Sequence, residues 1–181
     1  MVDVFGKVLK DHYKGQQKGK LWLHNSYGMP ENMPVDIFYR TKNELTELES
    51  IAMELCEGKT LDIGAGVGSH ALILQDQGMD VTAIEISESA CDIMRIRGVK
   101  KVINSDILHY KSEQFDTLLM LMNGIGLCGD IKGLHHFLEY LKQLVLPGGQ
   151  VIFDSSDIAY LYKADDFVAS NYYGEISYQY E

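Results

Sequence analysis

Apolar positions along this chain follow two rhythms. Short, nearly unbroken runs rich in β-branched residues recur at Thr60–Ile63, Asp80–Ile84, Lys101–Asn104, Phe115–Leu121 and Gln150–Phe153. Such runs read as strands covered on both faces. Between them, apolar residues return every third or fourth position, the period of a helix with one buried face. These helical stretches are predicted over Val67–Gln77, from Ser87 to Gly98, and from Asp130 through Ile131, Leu134, Phe137, Leu138, Leu141, Leu144 and Val145. Ser87 and Asp130 are suited to cap helix starts, while Gly78 and Gly98 are suited to end helices. Upstream, Leu45, Leu48, Ile51, Ala52 and Leu55 predict the buried stripe of a helix within Asp36–Cys56, closed by Gly58. Pro147-Gly148-Gly149 reads as a turn. Strands alternating with helices over short connections imply a mostly parallel sheet with helices on both faces.

The two ends of the chain are less regular. Residues 1–35 read as an N-terminal extension, and residues 36–181 as one α/β domain. Val4–Tyr13 suits a short amphipathic helix, and Gly15–Lys20 a connector. Trp22, His24, Tyr27 and Met29 then crowd ahead of Pro30 and Pro34. That segment either packs its aromatics on the domain surface or forms a lid over a pocket. Past Asp154 the pattern predicts a helix around Ile158 to Val168 and one strand within Asn171–Tyr180. An unpaired, tyrosine-rich edge favours association, so a homodimer is expected.

Charge and composition narrow the chemistry. Sixteen Lys and Arg against 26 Asp and Glu give a formal charge of −10. Nucleic-acid affinity rests on basic side chains neutralising phosphates, so no nucleic-acid partner is expected. No apolar run has the length of a membrane span, and nothing resembles a signal peptide, so a cytoplasmic protein without a membrane partner is expected. Cys56, Cys91 and Cys128 stand far apart, and the six histidines show no ligand spacing, so no metal site is expected.

Candidate chemistry gathers where the strands end. In a parallel sheet of this kind, ligands sit beyond the carboxyl ends of the strands. The first strand opens into Gly64-Ala65-Gly66-Val67-Gly68-Ser69, a turn whose glycines let a ligand approach the backbone. The second ends at Glu85, about twenty residues on, where a carboxylate can accept both hydroxyls of a ribose. A solvated carboxylate at the start of the Ser87 helix is the alternative. The third runs into Asp106, placed either to accept from a purine amine between Ile86 and Ile107, or simply to cap a helix. The fourth ends at Asn123-Gly124. Three strand ends thereby offer three parts of one nucleoside site.

With those pieces in order, the chain resembles the class I S-adenosylmethionine-dependent methyltransferases. The matching stretches are Leu-Asp-Ile-Gly-Ala-Gly-Val-Gly, Val-Thr-Ala-Ile-Glu-Ile-Ser, Asn-Ser-Asp-Ile, Phe-Asp-Thr-Leu-Leu-Met-Leu-Met-Asn-Gly and Leu-Pro-Gly-Gly-Gln-Val-Ile-Phe, spread over roughly residues 36–155. The resemblance implies a Rossmann-like, doubly wound, mostly parallel sheet. Family members usually finish with a reversed last strand, and too few residues follow Tyr180 to supply it, so an incomplete sheet is expected. S-adenosylmethionine is implied as cofactor. Gly64 and Gly66 would line its methionine, Glu85 its ribose, and Asp106 with Ile107 and Ile86 its adenine. The Asn123 backbone, and Asp62 through water, would serve the ammonium. Arg40 is a candidate for the methionine carboxylate, with a surface salt bridge as its alternative.

Methyl transfer is an in-line displacement that depends chiefly on alignment. No catalytic residue is therefore assigned. Asn123, His24, Tyr27 and Trp22 are candidates for facing the acceptor. The Asn-Pro-Pro-Tyr-type stretch of amino-methylating DNA enzymes is missing after the fourth strand. Together with the negative charge, this favours a small-molecule acceptor. Two other readings stay open: a module that binds the nucleoside without transferring methyl groups, and a nicotinamide-dependent oxidoreductase. Ser69, standing where a third dinucleotide-loop glycine would fall, speaks against the latter.

Overall fold

In a computed structural model of the chain, residues 3–26, 28–157 and 178–181 are described. Along these run α1 (Val4–Tyr13), β1 (Leu21–Asn25), β2 (Glu31–Met33), α2 (Glu47–Glu54), β3 (Thr60–Ile63), α3 (Ser69–Asp76), β4 (Val81–Glu85), α4 (Glu88–Arg97), β5 (Val102–Asn104), β6 (Phe115–Met120), α5 (Ile131–Leu141), β7 (Val145–Phe153) and β8 (Tyr178–Tyr180). The expected helix around Ile158 to Val168, most of the strand expected to follow it, and Tyr27 lie outside the described residues.

Five strands form the predicted parallel sheet, in the order β5-β4-β3-β6-β7. The order reverses between β4 and β6, on either side of β3. Leu61, Ile63, Ile84, Phe115, Leu118 and Met120 fill one face against Phe137, Leu141 and Leu144. Ala83 and Leu119 face the other way, among Ala71, Leu74, Cys91 and Met94 from α3 and α4. Both faces are covered, which is why β3 and β4 are buried at every position rather than at alternate ones.

Several local expectations are corrected. The stretch from Asp36 to Cys56 is not one helix: two short 3-10 turns (Val35–Tyr39 and Lys42–Glu44) precede α2. Thr41 with Glu44, and Thr46 with Glu49, each form a capping box, and each box restarts the backbone. Of the predicted stripe, Ala52 is buried and Leu45 packs against the core, but the other three residues are not buried. Ala52, Met53 and Glu49 turn inward, whereas Leu48, Ile51 and Leu55 are more than half exposed. Pro147–Gly149 makes no reversal but bulges within β7, between the pairs Phe115–Val145 and Thr117–Gln150.

The N-terminal segment builds a second, antiparallel sheet in the order β2-β1-β8. Tyr178–Tyr180 pairs with β1, and Trp22 and Glu181 exchange backbone hydrogen bonds of 2.9 Å. Tyr178–Tyr180 thus has a partner along one side and stands as an outer strand of this sheet among the described residues. Helix α1 packs against α4, and the Tyr39 hydroxyl donates to the Leu9 carbonyl at 2.7 Å. Among the described residues, no helix is long and apolar enough to cross a membrane.

The corrected face of α2 is open to test by urea denaturation. Leu48→Ala is expected to change stability by less than about 0.5 kcal/mol, as at an exposed site. Leu118→Ala, at a fully buried position, is expected to cost about 2–5 kcal/mol.

Candidate functional site

A cavity of about 760 Å³ opens beyond the carboxyl ends of β3, β4, β5 and β6. Its walls include every binding residue expected from the sequence: Arg40, Asp62, Gly64, Gly66, Glu85, Ile86, Asp106, Ile107 and Asn123. A more open groove of about 510 Å³, running from Thr82 and Lys101 to Glu113, holds none of them. The strand-end geometry inferred from the sequence is therefore present.

The glycine turn forms the floor. Gly64, Gly66 and Gly68 all have positive φ, at 72°, 54° and 80°. A Cβ on Gly66 would meet nothing within 4 Å. Its space is open to a ligand, and its backbone conformation still demands glycine. Glu85 ties this turn to the next strand end. One carboxylate oxygen accepts the Gly66 N–H and the other the Ser87 N–H, each at 2.9 Å. Both alternatives for Glu85 thus hold in part: it borders the helix that Ser87 caps, and it is buried in the cavity wall rather than solvated. Burial raises its pKa above the ordinary carboxylate value, the two N–H bonds oppose the rise, and the charge of Asp3 adds to it.

Opposite lies a buried charge cluster that sequence reasoning touched only at Arg40. The guanidinium donates to Glu49 at 2.5 Å, and Glu49 also meets His70 Nε2 at 2.9 Å. The salt bridge is thus interior, not at the surface, with only 4% of the Glu49 side chain exposed. Burial alone would raise the Glu49 pKa. Hydrogen bonds from Thr46 and His70, with the Arg40 charge, outweigh that and hold its carboxyl below the ordinary range. Arg40 Nε and Asp62 Oδ2 are buried without hydrogen-bond partners among the described residues. The residues that carry this orphaned donor and this orphaned acceptor both line the cavity. Burial pushes Asp62 up to about 6, against the opposing charge of His70 and with the charge of Glu85 adding to the rise.

At the third strand end, Asp106 does act as a cap, accepting the Leu108 N–H at 2.9 Å. Ile86 is largely exposed and Ile107 buried. At the fourth, Met122 and Asn123 both adopt positive φ, at 59° and 62°. Their N–H groups are gripped by the carboxylate of Asp154, at 2.9 Å and 2.6 Å. Two adjacent non-glycine residues in this conformation are costly, and the Asp154 carboxylate holds them there. Sequence reasoning missed Asp154, because its partners lie some thirty residues away and nothing local marks it.

It also missed the apolar wall. Phe5, Ile37, Phe38, Leu127 and Tyr180 face the cavity. The Phe5 ring stacks on Tyr180 and meets Phe38 edge-on, each pair with centroids 4.9 Å apart. Phe38 is fixed in turn by the Ser69 hydroxyl, which donates to its carbonyl at 2.7 Å. Of the residues expected to face an acceptor, Trp22 and His24 do not line the cavity. Trp22 lies under the Lys20 ammonium, and His24 meets Glu181 at 2.5 Å. Asn123 is the described member of that group that does line it. Among the described residues, no cluster of three His, Cys, Asp or Glu side chains could hold a metal ion.

Comparison with known proteins agrees with this geometry. Residues 61–153 match the family model described as a methyltransferase domain. A protein of Staphylococcus carnosus described as an uncharacterized methyltransferase is 36% identical over 81 residues, which is 45% of this chain and 36% of that protein. The chain thus aligns with little more than a third of that curated relative's length. A crystal structure of an S-adenosylmethionine-dependent methyltransferase from Bacteroides fragilis, in complex with S-adenosyl-L-homocysteine, superposes with a TM-score of 0.90 at 36% identity. That match covers 99% of this chain and 75% of the other. The sugar N-methyltransferase KedS8 from Streptoalloteichus shares the fold, with a TM-score of 0.56 at 18% identity over 80% of this chain and 60% of that one.

The burial of Asp62 has a measurable consequence. The folded protein holds the Asp62 proton to about pH 6, whereas an unfolded chain releases it near pH 4. Between those values the folded state binds more protons, so this group makes stability fall as pH rises. Above that window its cost is complete, on the order of 3 kcal/mol. In urea unfolding without ligand, the stability of Asp62→Asn relative to the parent is expected to grow from pH 4 to pH 6 and then level off. A flat difference would place Asp62 at an ordinary pKa.

Proposed function

Because the chain belongs to the class I S-adenosylmethionine-dependent methyltransferases, we propose that it transfers a methyl group from S-adenosylmethionine to a small-molecule acceptor. Membership of this family sets aside the nicotinamide reading. The observation that carries the proposal is that Arg40 and Asp62, each with a buried polar atom unpartnered among the described residues, line one cavity with Glu85 and Asp106. A guanidinium N–H suits a carboxylate, and a carboxylate oxygen suits an ammonium, so the pair fits the two ends of an amino acid. Burying either atom unpaired costs free energy that such a ligand would recover.

In this reading the Arg40 side chain holds the methionine carboxylate, and Asp62 with the Asn123 backbone holds the ammonium. Glu85 takes the ribose with the lone pairs that Gly66 and Ser87 leave free. Ile86 and Ile107 flank the adenine, and Asp106 accepts from its amine. When bound, the cofactor supplies an electrophilic methyl group on a sulfonium. The carboxylates of Asp62, Glu85 and Asp106 give the cavity a negative balance suited to that cation, with Arg40 the one Lys or Arg side chain along its wall among the described residues. The chain contributes alignment and exclusion of water rather than covalent chemistry. Phe38, Leu127 and Tyr180 make the remaining wall apolar, so the acceptor presents an apolar or aromatic face. Residues 1–35 serve as a cap on the α/β domain.

Isothermal titration with S-adenosylhomocysteine tests the site. Binding is expected for the parent chain, and Glu85→Ala is expected to weaken it by ~1–3 kcal/mol, the range for a lost buried polar contact. At pH 6, where Asp62 is half protonated, binding is expected to release protons, seen as a dependence of the measured heat on buffer ionisation enthalpy; at pH 8 the dependence fades. Transfer is tested by release of S-adenosylhomocysteine from S-adenosylmethionine across a panel of apolar and aromatic amines, alcohols and thiols. Tight binding with no turnover across such a panel would favour the binding-module reading.

A further inference from the structure

Helix α1 is anchored at the ribose corner of the cavity by a short chain of hydrogen bonds. The Asp3 carboxylate works in two directions. One oxygen caps α1 by accepting the Gly6 N–H at 2.7 Å, and the other accepts the Ser87 hydroxyl at 2.7 Å. The Ser87 N–H in turn donates to Glu85, whose second oxygen holds the Gly66 N–H. The start of α1 is thereby connected, residue by residue, to the glycine turn.

Gly6 shows that this approach is built into the sequence. Glycine is the poorest helix former after proline, yet Gly6 is buried in the first turn of α1, where the Asp3 cap takes its N–H. A Cβ there would lie 2.1 Å from the Ser87 hydroxyl oxygen and 2.3 Å from Asp3 Oδ2. Those two atoms would have to swing apart, which breaks the bond between them. The helix forgoes a better residue at this position, and close contact with Ser87 is what it gains. One residue earlier, Phe5 lines the cavity and stacks on Tyr180.

We propose that Asp3 is a positioning residue of the cofactor site: by taking the Ser87 hydroxyl it seats α1 over the Glu85 corner, and Phe5, carried on that helix, closes the cavity over a bound adenosyl group. The proposal rests on the reading of this cavity as an S-adenosylmethionine site. Seating α1 adds no polar contact to the ligand, so it acts chiefly on how fast the ligand leaves. Two variants separate seating from helix stability. Gly6→Ala strengthens the helix intrinsically but blocks its seat. Asp3→Ser keeps a helix cap for Gly6 but removes the second carboxylate oxygen that receives the Ser87 hydroxyl.

The test is dissociation of S-adenosylhomocysteine by surface plasmon resonance, together with trypsin cleavage at Lys7, Lys10 and Lys14 with and without that ligand. In the parent chain, the ligand is expected to protect these lysines. Both variants are expected to release it about tenfold faster and to lose the protection. Circular dichroism identifies a variant that fails to fold, and Asp3→Ser then carries the result alone. Dissociation within about twofold of the parent, with protection retained, overturns the role of Asp3 while leaving the cofactor reading intact. Failure of the parent chain itself to bind S-adenosylhomocysteine overturns both.

Discussion

The cavity side of this fold depends on where the two oxygens of Glu85 go. Glu85 ends β4 with its backbone paired to β5 at Asn104, and its carboxylate is left to the turns beyond the strand. Here it reaches back to the Gly66 N–H and forward to the Ser87 N–H. Glycine turn, strand tip and helix start become one rigid corner. The arrangement is possible because Gly66 leaves its backbone uncovered and because Ser87 is free to cap α4 through Ala90 at 3.1 Å. A buried carboxylate satisfied by backbone N–H groups resists displacement, since moving it leaves those groups and the carboxylate unpaired together.

The parallel sheet was legible because its physics is local. Strands covered on both faces must be apolar throughout, and helices that cover them must carry a one-sided stripe. The runs around Leu61, Ile84 and Leu118 could hardly have been anything else. Strand ends were legible for the same reason, and Gly66, Glu85, Asp106 and Asn123 do share one cavity. Periodicity failed where it had to choose a face. Leu48, Ile51 and Leu55 look like a core stripe, but a pattern says only that apolar residues align, not which side has a neighbour to bury them. Long-range placements were invisible. Nothing around Asp154 signals a grip on Met122 and Asn123, and Phe5, Phe38 and Tyr180 come from opposite ends of the chain. Trp22 stands out in the sequence because it crowds with His24, Tyr27 and Met29 ahead of two prolines, whereas the ring that reaches the cavity wall is Phe5 on α1.

The charge cluster behind the cavity illustrates a second constraint. Glu49 sits buried between a guanidinium and an imidazole, and the same carboxylate completes the capping box of α2. One side chain therefore sets a helix start and a ligand-facing cation at once. A buried ion pair of this kind adds little to net stability against an apolar alternative, while removing one partner is severe. Its value here is placement: with Glu49 engaging one nitrogen, the Arg40 side chain is held at the wall with Nε still unspent.

The seam between β1 and β8 bears on how the protein is made. The five-stranded sheet closes once residue 153 is in place, and its contacts are mostly between neighbours in sequence or across one crossover. The aromatic wall needs residue 5 to meet residue 180, far along the chain. A nascent chain emerging from the ribosome can settle its sheet early, but this side of the cavity stays open until β8 has followed it out. Chains cut short before β8 would then hold ligand poorly even when their sheets are sound.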